Sequence, residues 1–180
     1  ETRGFLDARI ADITATAGVS QGSFYHYFDS KEQVFREVAE RQEQQLTAPP
    51  SEAALRFDPA DTARQRIAKA NRRYLELYRD EARIMGVIEQ VSRYDDEVHD
   101  GRESRQKHFA ERAERFTRRL QEEGLADPAV DPGIAATALG AMIGRFAELW
   151  LVQGWADYDF DLAADQLTIL WCNALGLPRE

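Results

Sequence analysis

One stretch near the start of the chain decides the fold: Ala17-Gly18-Val19-Ser20-Gln21-Gly22-Ser23-Phe24-Tyr25-His26-Tyr27-Phe28-Asp29-Ser30-Lys31-Glu32. Gly18 suits the left-handed backbone position that ends a helix, and Ser20 suits the cap that begins the next one. Ser30, followed by Gln33, forms a capping-box pattern. These signals predict helices at residues 9–17, 21–28 and 31–46, of which the first two form a helix-turn-helix.

The remainder of the chain also predicts helices and no strands. Strong helix formers dominate its composition, Pro occurs only 6 times, and runs of alternating β-branched residues are absent. Helices are expected at residues 61–79, 81–93, 96–123, 132–153 and 161–176, after a Pro-containing loop over residues 47–59. The chain is therefore expected to be all-α, with an N-terminal head over residues 1–46 and a helical body over residues 47–180.

Side-chain spacing separates a core from a surface in the head. The expected core residues recur at helical spacing and are Ile10, Ile13, Ala17, Val19, Phe24 and Phe28. Five consecutive large residues, 24–28, cannot all point into so small a core, so Tyr25 and Tyr27 are expected on the surface. The second helix then exposes amide, hydroxyl, imidazole and phenol groups, which suit the major groove of DNA.

Residues 10–13, 17–28 and 30–32 closely resemble the helix-turn-helix of the TetR family of bacterial transcriptional regulators. The resemblance implies a DNA-binding head followed by a ligand-binding and dimerisation domain, and a repressor that an effector releases from its operator. It implies DNA contacts, to phosphates or base edges, by Gln21, Gly22, Ser23, Tyr25, His26, Tyr27 and Lys31. Arg9 departs from the small hydroxyl residue usual in the family, and we expect it to contact a phosphate from the start of its helix. The helix that precedes this motif in the family is expected to be missing from a sequence that begins at Glu1.

Charge argues against nucleic-acid binding and leaves the motif to carry the case. The formal net charge is −9, and residues 1–47 hold five Lys and Arg against eight Asp and Glu. Proteins that bind DNA normally draw their phosphate contacts from a surplus of Lys and Arg. The sequence therefore leaves one alternative open, a helical small-molecule-binding protein that does not bind DNA.

The body is expected to pair two chains and to hold an effector. Two-fold symmetric operators need a dimer, and the family builds it from the last two helices. Ala136, Gly140 and Gly144 form a small-residue ridge that would let a partner helix approach, or would pack within its own chain. A pocket for a small apolar or amphipathic effector is expected among Tyr74, Tyr78, Ile84, Met85, Ile88, Phe109, Phe116, Met142, Phe146 and Trp150, each of which could equally be core.

Other function classes find little support in the sequence. Cys172 has no His nearby in the chain, and His26, His99 and His108 lack metal-ligand spacing, so no enzyme, metal or cofactor is expected. A single cysteine fits a reducing compartment, and the cytoplasm is the expected location. The longest uncharged run, residues 132–144, is too short to span a bilayer, so no membrane association is expected.

Overall fold

The computed structural model describes residues 5–47 and 60–178. These residues contain no strand and form eight α-helices: α1 (Ile10–Ala17), α2 (Gln21–Tyr27), α3 (Lys31–Thr47), α4 (Ala63–Asp80), α5 (Ala82–Val91), α6 (Asp96–Glu122), α7 (Pro132–Ala147) and α8 (Phe160–Ala174). A short 3-10 helix, Phe5–Asp7, precedes α1, and a π-helical turn, Glu148–Val152, continues α7. The predicted all-α class is confirmed. The predicted domain boundary falls at the end of α3, and the loop predicted after it lies almost entirely outside the described residues.

Side-chain caps explain why several helices begin where they do. The side chains of Thr62, Asp95, Asp131 and Asp159 each accept a hydrogen bond from a backbone N–H in the first turn of α4, α6, α7 and α8. At α4 the Gln65 side chain also accepts from the Thr62 backbone N–H, which completes a capping box. These first-turn N–H groups have no partner within their own helix, so each cap stabilises the start by about 1 kcal/mol.

The core of the body lies where α4, α5, α6, α7 and α8 meet. Leu75, Met85, Ile88, Cys172 and Leu175 are each no more than 2% exposed. Helix α4 packs along α8, α6 packs along α7, and α3 reaches from the head to pack along α6. Helix α3 begins after the three residues that follow the helix-turn-helix and packs on the body further along. It therefore connects the two parts of the chain.

The small-residue ridge predicted on α7 is partly buried within its own chain. Ala136 is buried at 1% exposure, and a Cβ at Gly144 would come within 3.5 Å of the Tyr74 hydroxyl, so both face the chain's own interior. Gly140 is exposed. The outer face of α7 instead carries Ile134, Thr137, Ala138 and Ala141, and the outer face of α8 carries Leu162, Gln166, Ile169, Leu170 and Asn173.

The π-helical turn lengthens α7 beyond the uncharged run seen in the sequence. The continuous helix from Pro132 to Val152 has 21 residues and a mean hydropathy of 1.3, which is long and apolar enough to cross a membrane by length and composition alone. It also contains Arg145 and the buried Glu148, whose carboxylate accepts a 2.6 Å hydrogen bond from the Arg145 guanidinium. Apolar helices that pack inside a protein pass the same test.

Gly86 marks the closest approach of α5 to the π-helical turn. A Cβ at this position would lie 2.8 Å from Val152 Cγ1, so one of the two must move. We expect Gly86→Ala to lower the free energy of unfolding by about 1–3 kcal/mol, the usual cost of overpacking a core. Gly101→Ala is the matched control, because its Cβ would meet only Glu43 Cγ at 4.0 Å and helix propensity should make it neutral or stabilising. Chemical denaturation measures both, and equal effects would refute the overpacking.

Candidate nucleic-acid interface

Local signals in the chain place α2 firmly against α1. Gly18 adopts a φ of 70°, and its N–H and that of Val19 close the end of α1. The Ser20 hydroxyl accepts a 3.0 Å hydrogen bond from the Ser23 N–H and so begins α2. The Ser30 hydroxyl accepts from the Gln33 N–H at 3.1 Å and begins α3. All three predicted turn signals are confirmed, and together they fix the direction in which α2 points.

The core of the head is smaller than the sequence predicts. Phe24 is buried at 6% exposure and Phe28 is half-buried, with ring centroids 5.6 Å apart. Val19 is 49% exposed and Ala17 is also exposed, so their predicted place in the core is wrong. Ala17 ends α1 and Val19 lies in the turn that follows, where the chain reverses at the surface. The core is completed instead by residues that sequence reasoning missed, among them Thr14, Phe5 and Phe35.

One face of α2 is free of the core and free of carboxylates. Gln21, Gly22, Ser23, Tyr25, His26 and Tyr27 are all exposed, with Tyr25 at 57% and Tyr27 at 72%. The Tyr25 ring meets the edge of Phe24, and the Tyr27 ring meets His26, so each phenol is held near the helix. An α-helix fits the major groove, and this face offers hydrogen-bonding groups to base edges and phosphates.

The two cations predicted to contact DNA stand in different situations. Arg9 is exposed immediately before α1, and its carbonyl accepts from the Asp12 and Ile13 N–H groups. Lys31, at the start of α3, is half-buried. Its ammonium donates to the carbonyl oxygens of Phe5, Leu6 and Ala8, at 3.0, 2.9 and 3.0 Å. The structure therefore ties the Lys31 ammonium to the chain itself, which the sequence did not predict.

Ion pairs join α3 to α6 at two levels. The Arg36 guanidinium donates to the carboxylate of Asp95, the cap of α6, at 3.0 Å and to Glu97 at 2.7 Å. Further along, Arg105 donates to Glu43 at 2.9 Å, and both side chains are almost fully buried. Burial raises the pKa of the Glu43 carboxyl, while the charges of Arg105 and Arg102 lower it. These ion pairs couple the position of α6 to that of α3, the helix that connects the head to the body.

The residues predicted to line a pocket lie in four different places in the structure. Tyr78, Met85 and Ile88 are at most 3% exposed and belong to the core. Tyr74 lies beside Tyr78 and Phe109, with centroid distances of 5.7 and 5.8 Å, and burial raises the pKa of both tyrosines. Phe146 and Trp150 form a separate aromatic group with Tyr158 and Phe160. Ile84, Phe116 and Met142 are half-buried around the same core.

Sequence reasoning missed two buried polar groups in the body. Glu148 is 4% exposed at the start of the π-helical turn, where its carboxylate accepts from Arg145 and, at 2.8 Å, from the Gln153 amide. Arg105 is 4% exposed within α6, a helix that reads as mostly solvent-facing. A charged residue inside an apolar stretch was the only available signal for Glu148. Among the described residues, no group of three His, Cys, Asp or Glu side chains could hold a metal ion.

Comparison with protein families supports the reading of the head. Residues 1–38 match the family described as bacterial regulatory proteins, tetR family. A curated relative, the uncharacterised HTH-type transcriptional regulator YdgC of Bacillus subtilis, is 53% identical over 36 residues. That match covers 20% of this chain and 18% of the relative, so the chain aligns with less than a fifth of the relative's length.

Comparison with solved structures extends the likeness to the whole fold. A putative transcriptional regulator from Pseudomonas aeruginosa PAO1 matches with a TM-score of 0.76 and 21% identity, over 96% of this chain and 82% of that one. FadR from Bacillus subtilis in complex with stearoyl-CoA matches at 0.74 and 17%, over 95% and 90%. A putative regulator from Saccharomonospora viridis in complex with choline matches at 0.74 and 21%, over 94% and 87%. At these identities the likeness shows the fold.

Proposed function

We propose that this chain, whose residues 1–38 match the tetR family of bacterial regulatory proteins, is a transcriptional repressor that binds DNA through α2 and is released by a small effector. The observation that carries this proposal is the exposed face of α2. Its six outward residues include two phenols, an amide and an imidazole, and none of them contributes to the core of the head. A helical small-molecule-binding protein without DNA binding, the alternative, would have no use for such a face.

The division of contacts on DNA follows from chemistry and position. Gln21 can pair with an adenine through its amide, and Ser23 and His26 are further exposed hydrogen-bonding residues of α2 that would approach base edges. Tyr25 and Tyr27 are 57% and 72% exposed and would donate to phosphate oxygens, which fix register without reading sequence. Arg9 supplies the exposed positive charge at the start of α1. The neutral α2 face adds hydrogen bonds where the acidic chain lacks cations.

Two chains would pair through the outer faces of α7 and α8. Ile134 is 73% exposed, Leu162 is 58% exposed and Leu170 is 51% exposed, although all three are large and apolar. Apolar side chains in such numbers on neighbouring helices mark an interaction surface. A two-fold dimer built on it would present two α2 helices to successive major grooves of a palindromic operator.

The effector would bind in the body and act on α3. The aromatic side chains around Tyr74 and Trp150 suit a small apolar or amphipathic molecule. FadR of Bacillus subtilis, which holds stearoyl-CoA, and the choline-bound regulator share this fold and make an acyl-CoA and choline useful probes. Binding would favour an arrangement of α6, and of α3 paired to it, in which the two heads no longer match their half-sites. The protein would act in the cytoplasm and would carry out no catalysis.

Tyr25 gives the most direct test of the α2 face. We expect Tyr25→Ala to weaken operator binding about 10- to 100-fold, because a hydrogen bond to a charged phosphate contributes about 1.5–3 kcal/mol. Tyr94→Ala is the matched control, since Tyr94 is 51% exposed against 57% for Tyr25 but lies in the body. Fluorescence anisotropy with labelled operator DNA measures both affinities, and circular dichroism checks the fold. Equal affinities for the two variants would rule out the α2 face.

The effector is sought by thermal shift followed by release of DNA. A ligand that binds only the folded protein raises its melting temperature, and the rise grows with the logarithm of the ligand concentration divided by Kd. Palmitoyl-CoA and choline are the first probes, and each compound that stabilises the protein is then added to the complex with DNA. We expect at least one stabilising compound to lower operator affinity. Stabilising compounds that all leave the complex intact would refute the proposed switch.

A further inference from the structure

We infer that Lys31 is a positioning residue, whose ammonium fastens the 3-10 helix Phe5–Asp7 to the start of α3 and thereby sets α1 and Arg9 for DNA, rather than a phosphate ligand. The inference deepens the proposed function and rests on it for the part that concerns DNA. It reverses the expectation from the sequence, in which Lys31 approached a phosphate.

The geometry uses every donor that the lysine has. An ammonium group carries three N–H donors, and the Lys31 ammonium meets three carbonyl oxygens, those of Phe5, Leu6 and Ala8, at 2.9–3.0 Å. The same nitrogen lies 4.9 Å from the centroid of the Phe5 ring. Phe5 is 9% exposed and packs on Phe35 of α3 at 4.8 Å. Cation, carbonyls and rings thus converge on one small region.

The charges explain why this arrangement is favourable. The carbonyl oxygens at the end of a helical segment carry partial negative charge, and a cation placed there is stabilised. Hydrogen bonds from a charged donor are also about twice as strong as neutral ones. A phosphate that recruited Lys31 would have to break these bonds. Leu6, Asp7, Ala8, Arg9 and Lys31 line one open surface depression, in which Arg9 is the exposed cation.

The fastened segment leads directly into the DNA-binding unit. Only two residues, Ala8 and Arg9, separate the 3-10 helix Phe5–Asp7 from Ile10, the first residue of α1. Helix α1 packs against α2, so a shift at its start changes how α2 is supported. Without the Lys31 ammonium, the 3-10 helix would lose its three hydrogen bonds to the start of α3 and keep the packing of Phe5 on Phe35.

Hydrogen exchange on the DNA-free protein tests the fastening. In Lys31→Met we expect the amides of Ala8, Asp12 and Ile13, whose bonds close Phe5–Asp7 and the first turn of α1, to exchange at least about tenfold faster. Amides of α4 and α8 should exchange as in the wild type, which shows that the body remains folded. Unchanged exchange at Ala8, Asp12 and Ile13 would overturn the inference, whether or not the protein binds DNA.

Replacement by arginine separates positioning from phosphate contact. Arginine keeps the charge and binds phosphates well, but its planar fork cannot direct donors at the same three carbonyls. We therefore expect Lys31→Arg and Lys31→Met to weaken operator binding to a similar extent, about tenfold. Near-wild-type affinity for Lys31→Arg with reduced affinity for Lys31→Met would establish a phosphate contact and overturn the inference. Absence of operator binding by the wild type would instead refute the proposed function, and hydrogen exchange would still decide the role of Lys31.

Discussion

Replacement of Arg105 by methionine is expected to lower the free energy of unfolding by about 3–5 kcal/mol, because it removes the guanidinium that pairs with the buried Glu43 carboxylate. Both side chains are almost fully buried, and Arg105 donates to Glu43 at 2.9 Å. The pair also joins α3 to α6, so the loss should concentrate at the contact between head and body. Urea denaturation of the wild type and the variant measures the difference.

A double variant and a change of pH sharpen this test. The double variant Glu43→Leu with Arg105→Met removes both charges of the pair, so most of the lost stability should return. The pKa of Glu43 is already raised by burial, and loss of Arg105 removes a charge that lowers it. A carboxyl with a raised folded-state pKa destabilises the protein as the pH rises through that value, so Arg105→Met should lose less at about pH 5 than at about pH 8. A single variant as stable as the wild type would contradict the burial of this pair.

Introducing a charge on the outer face of α8 is expected to abolish dimerisation. We expect Ile169→Glu to be monomeric at micromolar concentration and to bind the operator about 100- to 10,000-fold more weakly, because its two heads no longer act together. Leu125→Glu is the matched control, since Leu125 and Ile169 are both 39% exposed and Leu125 lies in the turn after α6 rather than on α7 or α8. Sedimentation velocity measures the assembly state. A dimeric Ile169→Glu protein would show that the chains do not pair through the outer face of α8.

Helix positions and the helix-turn-helix could be predicted because their signals are local. Gly18 and Ser20 act within a few residues of themselves, and the structure confirms both roles. The inward place of Phe24 and the outward places of Tyr25 and Tyr27 followed from helical spacing alone and are also confirmed. The bounds of α3 and α6 differ from the predicted helices by a single residue at one end.

The features that the sequence did not predict depend on contacts between distant residues. Lys31 reaches the turn at Phe5, and Arg105 reaches Glu43, 62 residues away, and no periodicity records either contact. The π-helical turn after Ala147 alters the backbone hydrogen bonding without interrupting the apolar pattern of the sequence, so the sequence predicted an uninterrupted α-helix there. The ridge on α7 was misplaced because spacing along one helix does not reveal which side packs within the chain, and Ala136 and Gly144 turn inward.

The proposed function depends on sequence-specific binding of duplex DNA. The most direct measurement is selection of the full-length protein's preferred sites from a pool of random DNA duplexes, at physiological salt. We expect enrichment of two half-sites in inverted repeat, with centres about 10 base pairs apart or a multiple of that, and an affinity at least about 10³-fold higher than for scrambled DNA. A pool that returns no enriched sequence, or one bound equally well when scrambled, would contradict the assignment of α2 as a recognition helix.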